Sequence, residues 1–442
     1  MGDKRRSGAR RIFTKYMQEK LAVTVIVITL ALFALIYVLY HIITTKQDSY
    51  NQIVLSQQQY DSRVLPYRRG DIVDRNGTYL ATTEKVYNLI IDSKQIMSAE
   101  DDYLDATVTA LVTIFGYDEN EMRNLIRDNS TKAYLRYAKQ LSYDQKEAFE
   151  QYQADTNKAN AKADSKARVK GVWFEDEFKR IYPYNSLACN VIGFATSDGG
   201  TGNGGIEQSY NDSLIGTNGR EYGYLNDDSN IETVVKEAEN GNTIMSTIDV
   251  NIQKMVEKRI EQWKTEVGSK QIGVVVMDPS NGEILSMATD KTYDLNNPRD
   301  LSSMYTQEEQ DAMSDEEKAN AWNQMWRNFC VSDTFEPGSP SKVFTVSAAL
   351  EENLVTPNTH FFCDGYQTIA GYNVKCTAFR KGGHGDMALD ETLMVSCNDA
   401  MMQMAAMEKK ETFKKYQDLF NLGSKTGIDL PGEADASTLV YQ

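Results

Sequence analysis

Along the chain, apolar and polar positions alternate with three different rhythms. Residues 21–43 are an unbroken apolar run without Asp, Glu, Lys or Arg. At about 1.5 Å per residue, a helix of that length crosses the roughly 30 Å hydrocarbon core of a bilayer. Residues 48–63 are polar with spaced apolar positions, which predicts a helical stalk. β-prone runs at 71–73 and 78–82 flank Asp74-Arg75-Asn76-Gly77, where Asn-Gly signals a tight hairpin turn, and 85–92 reads as another strand. Residues 100–165 are charged and helix-prone, and the Lys/Ala-rich stretch 158–170 reads as exposed helix or connector. A second folded unit is expected from about Asn242, where a strand leads into an amphipathic helix with Ile252, Val256 and Ile260 on one stripe. Residues 271–289 read as strand, Pro279-Ser280-Asn281-Gly282 turn and strand. Two capping boxes, Thr306 with Glu309 and Ser314 with Glu317, open short helices, and helical sequence dominates after Ser339. The pattern predicts an α+β pedestal followed by a second α+β domain, with sheet first and helices after.

Composition narrows the class. With 442 residues there is room for two or three domains, and 41% hydrophobic and 25% charged content is ordinary for folded protein. A net charge of −16 argues against a nucleic-acid partner, which requires basic surface. The positive charge that exists is concentrated before the apolar run, as Lys4, Arg5, Arg6, Arg10, Arg11, Lys15 and Lys20 against Asp3 and Glu19. The positive-inside rule therefore predicts a cytoplasmic N-terminus and an extracytoplasmic body after Lys46. The run is too long for a cleaved signal peptide and is followed by Thr44, Thr45, Lys46 and Gln47, so an uncleaved single-pass anchor is expected. Outside the membrane there is no ATP or nicotinamide pool to use. The glycine-rich loop 198–205 lacks a Gly-Lys-Ser/Thr ending, so phosphate binding is a poor reading of it.

Three histidines, His41, His360 and His384, leave little for His-driven catalysis. The five cysteines, Cys189, Cys330, Cys363, Cys376 and Cys397, include no CxxC pair, and an odd number closes no disulfide framework. Cys363 and Cys376 flank a segment that can fold back around Ala370-Gly371. A disulfide or a metal site with His384 is open there; free thiols are the preferred expectation, and no metal or cofactor is assigned.

The chemistry centres on Phe335-Glu336-Pro337-Gly338-Ser339-Pro340-Ser341-Lys342. Pro337-Gly338 breaks the chain and 343–351 reads as helix, which predicts Ser339 at the helix N-cap and Pro340 at the first helical position. Ser339 and Lys342 are three apart and share a face of the first turn. A neutral lysine there can take the serine proton, making a serine acyltransferase without histidine. S-x-x-K alone is common, however, and an ordinary Ser cap with a surface lysine fits it as well. Downstream, Ser396-Cys397-Asn398 lies between two helical runs. Ser396 could relay a proton with Lys342 and Asn398 could hold a substrate amide, while a plain Ser N-cap suits the isolated triplet equally.

Together these segments resemble the class B penicillin-binding proteins, monofunctional D,D-transpeptidases of peptidoglycan synthesis. Residues 68–82, Arg-Arg-Gly-Asp-Ile-Val-Asp-Arg-Asn-Gly-Thr-Tyr-Leu-Ala-Thr, and 204–219, beginning Gly-Gly-Ile-Glu-Gln-Ser-Tyr, resemble the pedestal signatures. STIDVNIQ, VVVMDPSNGEILSMAT, YDLNNP, MWRNFCVSDTFEPGS and TGIDLPGE resemble the transpeptidase domain in the expected order. The resemblance implies a cytoplasmic tail at 1–20 and an anchor at 21–43. It further implies a pedestal (dimerisation) domain at 44–235 and the N-terminal part of a penicillin-binding, serine β-lactamase-like α+β domain at 236–442. It implies Ser339 as the nucleophile acylated by the D-Ala-D-Ala end of a stem peptide or by a β-lactam, and Lys342 as its base. Ser396 and Asn398 are the implied second motif. No cofactor is implied; the implied partners are stem peptides, the membrane, a glycosyltransferase and other cell-wall assembly proteins.

The family's third motif, Lys-Thr/Ser-Gly, lies on a strand beside the serine. Lys425-Thr426-Gly427 has the letters but follows Ser396 too soon, and Pro431-Gly432 would end any strand there, so it reads as the TGIDLPGE connector. The true motif is expected beyond Gln442, leaving the domain incomplete and its activity in question. Pro340-Ser341 stands where relatives commonly carry Thr-Phe. The competing functions are a non-catalytic cell-wall scaffold and a transmembrane β-lactam sensor, the latter disfavoured by a single span and a short inner tail.

Overall fold

The computed structural model describes residues 15–57, 62–196, 199–225 and 231–440; the basic residues Lys4 to Arg11 and Asp198 of the glycine-rich loop lie outside them. Among the described residues, one helix is long and apolar enough to cross a membrane. It runs unbroken from Lys15 to Gln57, so the expected anchor and the first part of the expected stalk are one helix, and its apolar segment Glu19–Val38 is wholly exposed. Within it, Thr24 and Thr29 donate their hydroxyls to the carbonyls of Lys20 and Val25, each at 2.8 Å. Their polar groups are thus satisfied inside the helix, as a hydrocarbon surrounding demands.

The chain divides into two compact units, residues 1–65 with 218–238 and residues 66–217 with 239–442. Besides the apolar helix, the first holds an antiparallel sheet of Ser62–Leu65, Gly219–Leu225 and Ile231–Lys236, in that order.

The second unit is organised by the strand Tyr79–Ile91. The Asn-Gly turn forms as expected: Gly77 has φ +85°, and the Asp74 carboxylate accepts from the backbone of Asn76 and Thr78 at 2.9 and 2.8 Å. It pairs Ile72–Val73 with the start of the long strand. The two strands expected at 78–82 and 85–92 are one, because Val172–Ile181 pairs along it without a break from Thr82↔Ile181 to Ile91↔Val172. On its other side lies Leu135–Leu141, a strand inside the stretch expected to be helical. Helices Glu100–Phe115, Glu119–Asp128 and Tyr143–Lys162 cover this sheet, burying Leu104, Val108, Leu111, Met122, Ile126 and Phe149 against Leu89 and Ile91. Each such fully buried side chain stabilises the fold by roughly 1.5–3 kcal/mol relative to exposure, before conformational entropy is subtracted.

A second core gathers Ile72, Leu80, Tyr182 and Ile206 with Ile248, Met287 and Met325. Here the predicted hairpin forms from Gly273–Met277 and Ile284–Thr289, and both capping boxes are present. Helix Val250–Glu266 is capped by Asp249. Its buried face is centred on Val250, Gln253 and Ile260 rather than on the Ile252–Val256–Ile260 stripe. The reason is polar: the Gln253 amide is buried, bonding Met287 on the neighbouring strand in both directions at 3.0 Å and accepting from Ser286 at 2.7 Å.

Two of the pedestal-like segments meet at one buried carboxylate. Arg69 and Arg180 each donate Nε to Glu207 at 2.8 Å, and the Tyr182 hydroxyl donates to it at 3.0 Å, with both guanidinium groups and the carboxylate withdrawn from solvent. Burial, with Glu207 beside it, pushes the Tyr182 phenol far above its ordinary range. Between Arg69 and Asp71 the chain passes so close to Asn242 that a Cβ on Gly70 would fall 1.9 Å from the Asn242 carbonyl oxygen. The third core packs around helix Lys342–Glu351.

Candidate active site

After Pro337, Gly338 adopts φ +61° and ψ −141°, and Ser339–Ser341 form one 3₁₀ turn that leads into helix Lys342–Glu351. Ser339 is therefore not the helix N-cap, contrary to the sequence expectation. Gly338 precedes the turn, Ser341 caps the α-helix through its backbone alone, and Pro340 sits inside the 3₁₀ turn. The carbonyl of Gly338 is satisfied by Ser341, whose N–H and hydroxyl donate to it at 3.1 and 2.6 Å. A proline already fixed near φ −65° suits such a turn, and its missing N–H leaves no orphan donor. The extra hydroxyl at 341 thus holds the turn. Helix Lys342–Glu351 is anchored by Val346, Ala348 and Ala349, leaving Ser339 exposed and Lys342 half-buried at the lip.

Ser396 reaches this lip from the far side of the core. Helix Leu389–Met394 ends in a pair of bonds, Cys397 N–H to Thr392 C=O at 2.9 Å and Ser396 N–H to Leu393 C=O at 3.0 Å. That is a Schellman termination, with Ser396 in the left-handed position usually taken by glycine, at φ +52°. A non-glycine residue there carries strain of order 1 kcal/mol. Cys397, not Ser396, then caps the next helix, Asn398–Met407, accepting from Ala400 N–H at 3.4 Å. The capping alternative for Ser396 is thereby removed, and its hydroxyl is free for other work.

The three side chains form one chain of hydrogen bonds. Lys342 Nζ donates to Ser396 Oγ at 2.8 Å and to the Ser396 carbonyl at 2.7 Å, and Ser396 Oγ donates to Ser339 Oγ at 2.9 Å. Burial holds the Lys342 ammonium below its ordinary 10.5, against an opposing pull from the nearby Cys376 and Cys397. Lys342 thus connects to Ser339 through Ser396. Asn398 stands half-buried on the first turn of its helix, and its side chain makes no hydrogen bond among the described residues.

Sequence reasoning missed Asp399. It is fully buried and accepts from Gln367 at 2.7 Å and Gln403 at 2.8 Å, tying the Asn398 helix to the hairpin Tyr366–Lys375. Nothing local marks it, since Gln367 is remote in sequence. Lys425-Thr426-Gly427 forms no strand. Thr426 donates its N–H and hydroxyl to Glu433 at 2.6 and 2.7 Å, and the segment lines a cleft of about 720 Å³ with Tyr210, Ile244 and Met287, to which neither Ser339 nor Lys342 contributes.

Comparison with known proteins agrees with this architecture. Residues 65–246 match the penicillin-binding protein dimerisation domain and residues 272–439 the penicillin-binding protein transpeptidase domain. The chain is 29% identical to stage V sporulation protein D of Bacillus subtilis over 382 residues, covering 84% of this chain and 52% of that one. It is 30% identical over 318 residues to the probable peptidoglycan D,D-transpeptidase PenA of Neisseria gonorrhoeae, covering 69% of this chain and 46% of that one. In fold it is similar to penicillin-binding protein 2X of Streptococcus thermophilus, with a TM-score of 0.66 at 21% identity, over 85% of this chain and 54% of the other. It is also similar to PBP2 of Helicobacter pylori in complex with MreC, with a TM-score of 0.61 at 22% identity, over 85% and 68%. The chain spans about half the length of the curated relatives it matches.

Proposed function

Since this chain belongs to the penicillin-binding proteins that join a dimerisation domain to a transpeptidase domain, we propose that it works as a membrane-anchored D,D-transpeptidase of peptidoglycan synthesis with Ser339 as nucleophile. The observation that carries the reading is the hydrogen-bonded chain Lys342–Ser396–Ser339. With Lys342 neutral, the polarity of that chain reverses. Ser339 Oγ attacks the carbonyl of the penultimate D-Ala of a stem peptide, its proton passes to Ser396 Oγ, and the Ser396 proton passes to Lys342 Nζ. Collapse of the tetrahedral adduct breaks the peptide bond, and the departing D-Ala amine takes a proton back along the same route. The amine of a second stem peptide then attacks the Ser339 ester and regenerates the hydroxyl. Asn398 holds the substrate amide in this scheme, and a β-lactam follows the first half and stops at the ester.

Residues 44–235 serve as pedestal and 236–442 carry the transpeptidase chemistry in this reading. The N-terminal tail lies in the cytoplasm and the body outside it, as the charge before the apolar helix favours. A glycosyltransferase and other cell-wall assembly proteins are the proposed partners; the similar PBP2 of Helicobacter pylori forms a complex with MreC. Incubation with benzylpenicillin is expected to add one β-lactam mass per chain, and digestion to place it on the peptide containing Ser339. No adduct, or one elsewhere, would overturn the assignment.

Ser396→Gly separates the relay from the fold. Glycine relieves the left-handed strain, so the melting temperature should stay level or rise slightly. Loss of the hydroxyl breaks the proton path, and acylation should slow by about 100-fold or more. Stopped-flow acylation beside a thermal melt checks this; an unchanged rate would remove Ser396 from the relay. The competing reading is a non-catalytic cell-wall scaffold. Its signature is partner capture with no adduct at Ser339.

A further inference from the structure

The proton relay leaves one polar group at the Ser339 turn without work. Of the three residues in that turn, Pro340 has no N–H, and Ser341 gives its N–H to the Gly338 carbonyl. The Ser339 N–H finds no acceptor among the described residues. First-turn N–H groups are orphan donors in any helix start. This one belongs to the nucleophile itself and stands at the exposed lip.

That N–H shares one planar peptide with the Gly338 carbonyl, and in a trans peptide the two bonds point in opposite directions. Whatever fixes the carbonyl therefore aims the N–H. Gly338 does not fix it alone. Its φ of +61° with ψ −141° is a conformation that glycine visits freely, and the space where a Cβ would stand is open. Ser341 supplies the constraint, donating its N–H at 3.1 Å and its hydroxyl at 2.6 Å to the same carbonyl oxygen. The hydroxyl bond is the shorter of the two and the one a side chain controls. Two donors on one carbonyl also polarise the peptide, which strengthens its N–H as a donor.

We propose that Ser341 is a positioning residue for acylation: its hydroxyl locks the Gly338–Ser339 peptide so that the Ser339 N–H meets the oxygen of the carbonyl under attack. The proposal rests on the reading of Ser339 as nucleophile. As the bond from Ser339 Oγ to the carbonyl carbon forms, the π electron pair moves onto the carbonyl oxygen. An N–H already fixed in direction answers that charge without reorganising. When the tetrahedral adduct collapses, the pair returns to the carbonyl, the amine leaves, and the N–H remains on the ester carbonyl oxygen. Ser341 touches no reacting atom in this scheme. It also lies off the proton path, which runs from Ser339 Oγ through Ser396 Oγ to Lys342 Nζ.

The full chain in detergent, its Ser341→Ala variant and its Ser341→Thr variant are reacted with benzylpenicillin carrying ¹³C at the β-lactam carbonyl. Ser341→Ala is expected to slow acylation by about 10-fold, the worth of one ordinary hydrogen bond. The pH midpoint of acylation should stay where it is, because Lys342 keeps its surroundings. Threonine can place its hydroxyl on the carbonyl three residues back, so Ser341→Thr should restore the rate. The infrared band of the labelled ester supplies a readout that a purely structural role would not move. A hydrogen bond to an ester carbonyl lowers its stretching frequency, so the band should rise in Ser341→Ala and return in Ser341→Thr. Thermal melts of the three proteins run beside these measurements, and the half-buried Ser341 should cost the fold little. An unchanged rate in Ser341→Ala, a slower rate with an unmoved band, a shifted pH midpoint or a threonine that restores neither would each overturn the role of Ser341. No ester on the unaltered chain would instead overturn Ser339 as nucleophile, and this proposal with it.

Discussion

Ser339→Ala is expected to abolish covalent capture of benzylpenicillin, whereas Lys342→Ala should leave capture possible but slower by about 10²–10⁴-fold. The difference follows from what each side chain supplies. Without the Ser339 oxygen there is no atom to form the proposed ester, and no neighbour substitutes: Ser341 spends its hydroxyl on the Gly338 carbonyl and Ser396 Oγ is held by Lys342 Nζ. Without the Lys342 amine the nucleophile remains, but its proton must leave to water. Lys342 is held below its ordinary 10.5 chiefly by burial. A base must be neutral to accept, so the wild-type acylation rate should rise with pH through a midpoint below 10.5, and that limb should disappear in Lys342→Ala. Time courses of intact mass across pH check both. Equal rates in Lys342→Ala and wild type would exclude the lysine as base.

Glu207→Gln is expected to be the most damaging single change away from the site, destabilising the fold by about 3–5 kcal/mol. The carboxylate answers two guanidinium groups, Arg69 and Arg180, and all three side chains are withdrawn from water. A neutral amide keeps the shape but leaves two buried cations facing no anion, and that desolvation cost is what the number measures. The ion triad need not stabilise the fold relative to an apolar packing; breaking it is what costs. By contrast, Glu283→Gln opens the exposed Arg75–Glu283 pair, 3.2 Å apart, and should change stability by only about 0–1 kcal/mol. Calorimetric melts of the two variants make the comparison, and a Glu207→Gln melt as mild as that of Glu283→Gln would refute the argument.

How much was legible in the sequence depended on how locally each feature is decided. The Asn-Gly turn at 76–77, the capping boxes at Ser314 and Thr306 and the hairpin around Asn281-Gly282 all follow from a few neighbouring residues, and all are present. Leu135–Leu141 was hidden, because its strand character comes from pairing with Tyr79–Ile91 and not from its own short, charged segment. The buried face of helix Val250–Glu266 was misplaced because a buried glutamine reads as surface until its strand partners are known. Ser339 was misassigned as an N-cap because one residue decides between a 3₁₀ and an α start, and Gly338 and Ser341 make that choice together.

The same division runs through the site. Sequence alone determined the apolar helix, the α+β order of elements and the residue types with their spacing at Ser339, Lys342, Ser396 and Asn398, since periodicity, turn chemistry and motif are properties of adjacent residues. Only the tertiary structure decided that Lys342 meets Ser339 through Ser396, that Ser396 holds a strained left-handed turn, and that three cysteines and a histidine converge behind it. Those contacts join residues up to 57 positions apart. Chain separation carries no information about distance once packing takes over, so such contacts are decided by how the third core closes around helix Lys342–Glu351.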